Sequence, residues 1–329
     1  MMLIITNRNI NKSNFKEGIG DHEAFGDGVN LKGLNEVRLA HAEKKGGQWQ
    51  VRLVKEPSKI TANNIPSKKV FAELRERLTL GGKNGVFFVH GFNQSFKKNL
   101  EKSLAIERTY GVEVIAFSWP SNPGGFKTKE YRQAKRHALA SIGALDATLE
   151  KMGAYLKVPF NKQALEACDT KFTLMTYSQG NFLFQNYVTN ARYEDETSLF
   201  DNIVLCQADV DNECHSQWVD QIQVGKRVYI TINENDYVLK WSDANFQKAR
   251  LGRTAQDLNA SKVLYFDFTC APDVGNTHGI FYKNKKGAYW PESSYIVKLF
   301  FDAVLNGNRG EEVPNLRYNS NKNSYYYSL

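Results

Sequence analysis

No stretch of this chain approaches the roughly 18 consecutive apolar residues of a membrane-spanning helix, so the sequence offers no span. Cysteine is scarce: Cys168, Cys206, Cys214 and Cys270 are scattered over 329 residues without a CxxC pair. That density excludes a disulfide-stapled scaffold and points to reduced thiols. Cys206, Cys214 and His215 fit no recurring zinc-ligand spacing. The six histidines include no zinc-hydrolase pair, so no metal is expected. Gly81-Gly82-Lys83-Asn84-Gly85 precedes a strand-like run instead of following one. Gly26-Asp27-Gly28 lacks a third glycine. A phosphate loop and a dinucleotide fingerprint are both excluded, and no cofactor is expected. Residues 1–9 hold only a five-residue apolar stretch with no basic residue before it, too short for a signal peptide. A cytoplasmic location is the default expectation. Negative charge is in deficit, with 35 acids against 43 bases and a net charge of +8.

The apolar content, 42% of the chain, is ample for a full core. It comes as short runs at 86–89, 112–117, 172–176, 203–207, 228–232 and 263–268, rich in Val, Ile and Phe. They do not alternate apolar with polar, the pattern of strands buried on both faces. Segments 96–110, 128–155 and 182–190 between them suit helices, as do 67–80 and 294–305. Residues 3–6 read as a strand. Residues 36–43 and 48–56, joined by Lys44-Lys45-Gly46-Gly47, read as a hairpin. The expectation is an α/β fold with one open, mostly parallel sheet, antiparallel N-terminal strands and helices on both faces. Residues 1–312 are expected as a single domain, and the polar, Tyr-rich tail 313–329 outside its core.

Run 172–176 leads into Tyr177-Ser178-Gln179-Gly180, and a helix-like stretch follows. This is the context of a nucleophile elbow, a sharp strand-to-helix turn that lifts a serine hydroxyl above the sheet. Thr176 stands where the common pattern has glycine. The N–H of Gln179 at the helix start could face a developing oxyanion. The loop His90-Gly91-Phe92-Asn93 after run 86–89 could supply a second N–H from Phe92. Downstream, Asp236 and His278 both follow strand ends, where open α/β sheets hold their sites. The order serine, acid, histidine is that of the hydrolase architecture built on such an elbow. Asp209, at another strand end, is the alternative acid. His90 precedes the serine and reads as an orienting residue.

From residue 86 to about residue 282 the chain resembles a bacterial α/β-hydrolase family of unknown function. The likeness rests on Val89-His90-Gly91-Phe92-Asn93, on Phe117-Ser118-Trp119-Pro120-Ser121 and on Tyr177-Ser178-Gln179-Gly180-Asn181. Ile5-Thr6-Asn7-Arg8, Gln207-Ala208-Asp209-Val210-Asp211 and Asp236-Tyr237-Val238-Leu239 echo further family elements. The resemblance implies the hydrolase fold and a triad of Ser178, Asp236 and His278. It supplies no substrate. Tyr177 and Gln179 depart from the family's elbow.

The expected function is a serine hydrolase acting on a small-molecule or lipid ester. A lipase or phospholipase at an anionic membrane surface and an inactive binding module are the alternatives. The seventeen residues between Asp209 and Arg227 are too few for a large cap. Any lid must come from 122–127 or 241–261, over a fairly open cleft. Phe92, Trp119, Tyr177 and Phe182 could line it or pack in the core. The positive charge is concentrated at Lys127, Lys129, Arg132, Lys135, Arg136 and His137. A solvated helix face accounts for this first, and an anion-attracting surface second. No nucleic-acid motif accompanies it.

Overall fold

The computed structural model describes residues 1–31, 33, 35–61, 64–122, 127–190, 192–282 and 295–328. The N-terminal part runs through β1 (Met2–Thr6), β2 (Arg8–Ile10), β3 (Ile19–Gly20), β4 (Phe25–Val29), β5 (Arg38–Lys45) and β6 (Gln48–Leu53). Then follow α1 (Pro66–Gly81), β7 (Gly85–Val89), α2 (Phe96–Tyr110), β8 (Glu113–Ser118), α3 (Lys127–Ala140), α4 (Ile142–Leu156) and α5 (Pro159–Ala167). The second half holds β9 (Phe172–Tyr177), α6 (Gly180–Val188), β10 (Asn202–Cys206), α7 (Ser216–Val219), β11 (Arg227–Ile232), α8 (Tyr237–Phe246) and β12 (Val263–Asp267). It ends with α9 (Tyr295–Leu305), β13 (Leu316–Asn319) and β14 (Ser324–Tyr327).

Among the described residues, twelve strands form one sheet in the order β13-β14-β12-β11-β10-β9-β7-β8-β1-β5-β6-β3. From β14 to β1 every neighbour is parallel. The expected hairpin is β5–β6, and it joins the main sheet antiparallel through β1. β2 and β4 pair separately. The α/β-hydrolase architecture is thus as expected.

The tail is not. Residues 316–327 form a hairpin whose β14 runs parallel to β12, with Phe266 opposite Tyr325. The two rings stack at 4.8 Å and 9°. The expectation rested on polarity, but a strand with one face toward solvent needs only alternate apolar residues.

The continuous apolar runs have their cause in the packing. Along β7, Phe87 and Val89 face one layer with Leu74, Leu149, Leu183 and Phe184. Val86 and Phe88 face the other, with Leu100, Ile106, Val297 and Phe301. With helices on both faces, neither set of side chains meets water. One expected long helix, 128–155, is two, α3 and α4, broken at Ser141, whose Oγ donates to His137 O at 2.7 Å.

Candidate active site

Ser178 lies between β9 and α6 with a φ of +54°. That left-handed backbone costs a non-glycine residue on the order of 1 kcal/mol or more and persists only where surroundings enforce it. Here they do. Ser178 N donates to Cys206 O at 3.0 Å, and Ser178 O accepts from Asp209 N at 3.2 Å. Asn181 Nδ2 donates to Ser178 O at 3.1 Å and to Cys206 O at 3.2 Å. Thr176 donates its hydroxyl to Asn181 Oδ1 at 2.6 Å, which gives the residue in the expected glycine position a task. A Cβ on Gly180 would lie 2.6 Å from the carbonyl oxygens of Val89 and His90. The start of α6 therefore meets the end of β7 backbone to backbone.

The structure brings Ser178, His278 and Asp236 together. His278 Nε2 is 2.9 Å from Ser178 Oγ, and Nδ1 is 2.7 Å from Asp236 Oδ2. Asp236 is wholly buried and caps α8, its Oδ1 accepting from Val238 N and Leu239 N at 2.9 and 3.0 Å. Gln207 Nε2 donates to Oδ2 at 2.8 Å. A carboxylate ringed by donors acts as acceptor, so Nδ1 carries the imidazole proton and Nε2 accepts from the serine hydroxyl. Tyr177 OH donates to His278 O at 3.0 Å.

The side chain of Asp209, the alternative acid, is engaged by other groups. It is buried, accepting from Tyr131 OH and Ser242 Oγ at 2.8 Å each, with Arg250 Nε at 3.5 Å. Arg250 also pairs with Asp211.

A cavity of about 410 Å³ opens on Ser178 and His278. Phe92 and Tyr177 line it, as the sequence suggested. Tyr131 from α3 and Tyr237 and Trp241 from α8 line it too, and these the sequence reading missed. The one signal they gave was that Trp241 opened a stretch named as a lid. Trp119 is in the core, 0% exposed. Phe182 packs at the core's edge with Lys135 Nζ 4.5 Å from its ring. Of the other lid stretch, 122–127, residues 123–126 lie outside the described residues.

The loop carrying Phe92 is clamped. A Cβ on Gly91 would lie 2.7 Å from Ser178 Cβ, so loop and elbow touch. Trp119 Nε1 donates to His90 O at 2.7 Å. Burial pushes the His90 imidazole well below its usual range, so it is neutral. Arg8, fully buried, donates to Gln94 O and Trp119 O at 2.7 Å each, to Ser118 Oγ at 3.0 Å and to Asp27 at 3.1 Å. Among the described residues, neither Phe92 N nor Gln179 N donates to a backbone carbonyl outside the regular elements.

Lys129, Arg132 and Arg136 are exposed on α3, and His137 Nδ1 lies 3.0 Å from Pro120 O. The side chain of Lys127 lies outside the description. His215 is engaged by Tyr265 OH and Asn212 O at 2.6 Å each. Among the described residues no helix is long and apolar enough to cross a membrane, and no group of three metal-ligating side chains gathers.

The model of one family, described as an alpha/beta hydrolase of unknown function (DUF900), matches residues 68–265, more than half of the chain. His278 and the strands before α1 lie outside the matched span. No curated protein matches the chain.

Proposed function

The chain belongs to this family of α/β hydrolases, and we propose that it is a serine hydrolase that cleaves a carboxylic ester through an acyl-enzyme. The observation that carries the reading is the unbroken path from Ser178 Oγ through His278 to buried Asp236, at 2.9 and 2.7 Å. Ser178 attacks the ester carbonyl while His278 Nε2 accepts its proton. The imidazolium then protonates the leaving alkoxide, and the acyl group stays on Ser178. A water molecule, deprotonated by the same nitrogen, attacks the acyl-enzyme and releases the acid. Asp236 fixes the tautomer and stabilises the imidazolium. Phe92 N and Gln179 N hold the oxyanion, each worth about 3 kcal/mol of barrier.

The aromatic cavity and the N-cap position of Asp236 support this reading over a binding module, which needs no such path. The test is labelling by a fluorophosphonate, together with hydrolysis of p-nitrophenyl esters of increasing acyl length. Wild type is expected to label and turn over, and Ser178→Ala to do neither. Labelling of the alanine variant, or none of wild type, overturns the reading.

A further inference from the structure

Gln207 joins more of the site than any role above assigns to it. It follows β10, is wholly buried, and holds a φ of +42°. A glutamine gains nothing from that backbone, so its surroundings must impose it. They are visible. Gln207 N donates to Thr231 Oγ1 at 3.1 Å. From the other side Gly252 presses so close that a Cβ there would lie 2.6 Å from Gln207 Cα. These two contacts hold the backbone at Gln207.

The side chain reaches the acid and the histidine loop. Nε2 donates to Asp236 Oδ2 at 2.8 Å and to Thr277 O at 3.0 Å. Oε1 accepts from Ile280 N at 3.1 Å. One amide thus bonds the acid and the residues one before and two after His278. It also shares Oδ2, the same oxygen that faces His278 Nδ1.

We propose that Gln207 is a positioning residue of the reaction: its amide fixes Asp236 and the His278 loop in one register and tempers the charge Asp236 presents to the imidazole. The proposal rests on the reading of Ser178 as nucleophile. Two consequences follow. Without the amide donor, Oδ2 carries more charge toward Nδ1, so the imidazolium is stabilised. Without the three bonds, the loop no longer holds Nε2 on Ser178 Oγ.

The other groups around the pair are Tyr177, Tyr237 and Cys206, with Tyr282 and Lys102 behind Tyr177, and Glu130 and Asp209 lining the cavity. All are common to wild type and variant, so a difference between them reports Gln207.

The experiment compares Gln207→Met with wild type on one p-nitrophenyl ester across pH, with fluorophosphonate labelling alongside. Expected are a fall in kcat of about tenfold to a hundredfold, little change in KM, and labelling that persists more slowly. The acidic limb of kcat/KM moves to higher pH by about half a unit or more. If Gln207→Met does not fold, Gln207→Glu decides, since it keeps the shape and the acceptor for Ile280 N. It sets two carboxyl groups together and is expected to lose activity on the alkaline side, where their shared proton leaves. An unchanged kcat and limb in Gln207→Met, or in its absence a wild-type profile for Gln207→Glu, overturns the proposal alone. A fall in kcat with an unmoved limb also overturns it, leaving a structural residue. Wild type that does not label overturns the hydrolase reading, and the proposal with it.

Discussion

The Trp119 indole lies flat on the His90 imidazole, with ring centroids 5.4 Å apart and planes at 5°. Its Nε1–H reaches around to His90 O at 2.7 Å. This ring contact and this hydrogen bond hold the strand end from which the Phe92 loop departs. Trp119→Phe keeps a ring there and removes the donor, leaving a buried carbonyl short of a partner. The expected loss of stability is about 1–3 kcal/mol, read by urea unfolding. The turnover of ester is expected to fall with it.

Gly91 carries no penalty of backbone conformation, so Gly91→Ala tests space alone. The new methyl would sit 2.7 Å from Ser178 Cβ, 2.9 Å from Tyr177 O and 3.2 Å from Ser178 Oγ. The serine must shift from His278. A fall in kcat/KM of about a hundredfold is expected, with fluorophosphonate labelling slowed in proportion.

Asp236 and Asp209 are separable by paired variants. Asp236→Asn turns the acceptor facing Nδ1 into a donor on one side or forces the wrong tautomer, and about a 10⁴-fold loss of kcat is expected. Asp209→Asn leaves the His278 path untouched and removes the charge opposite Arg250. Its expected cost is in stability, about 1–3 kcal/mol for weakened buried hydrogen bonds to a charged group, since Arg250 keeps its pair with Asp211. A comparable loss of kcat in both variants, with stability equal, contradicts the assignment.

Lys102 is buried with Nζ 4.2 Å from the Tyr177 ring and 4.6 Å from the Tyr282 ring. Burial pulls its ammonium down to about 7. The unfolded chain keeps the ordinary value of about 10.4, so between these values the unfolded state binds more protons. Stability therefore rises with pH across that window, by up to about 1.4 kcal/mol per unit. Below the window the buried charge costs its full amount. Lys102→Met is expected to flatten this slope and to stabilise the protein near neutral pH. Urea midpoints at about pH 6 and about pH 9 check it. An unchanged slope means another group carries it.

Much of this site could be read from the sequence because its parts are local. The elbow is a strand, a serine and a glycine in succession, and Asp236 and His278 each follow a strand. Chain order admits Asp236 or Asp209 as the acid, since both follow parallel strands, and their partners separate them. Gln207 and Arg8 stood only within stretches that echo the family, with no sign of their roles, and Tyr131 gave no signal. Their partners lie far along the chain, as with Arg8 and Trp119, 111 residues apart, and no local spacing encodes that. The tail failed for the opposite reason: its composition was read, but its partner strand could not be.

That tail has a consequence for the border of the sheet. The sheet ends in β13 on one side and β3 on the other, of four and two residues. Short terminal strands are poor templates for a neighbouring chain. Removal of residues 313–329 would bare the end of β12, where Phe266 and Asp267 now pair with Tyr325 and Tyr326 of β14 and the Val-Leu-Tyr-Phe run is apolar. The shortened chain would present an adhesive border, and it should associate at concentrations where the full chain elutes unchanged. The tyrosine-rich hairpin is in that sense a hem, stitched over an edge that would otherwise fray into aggregates.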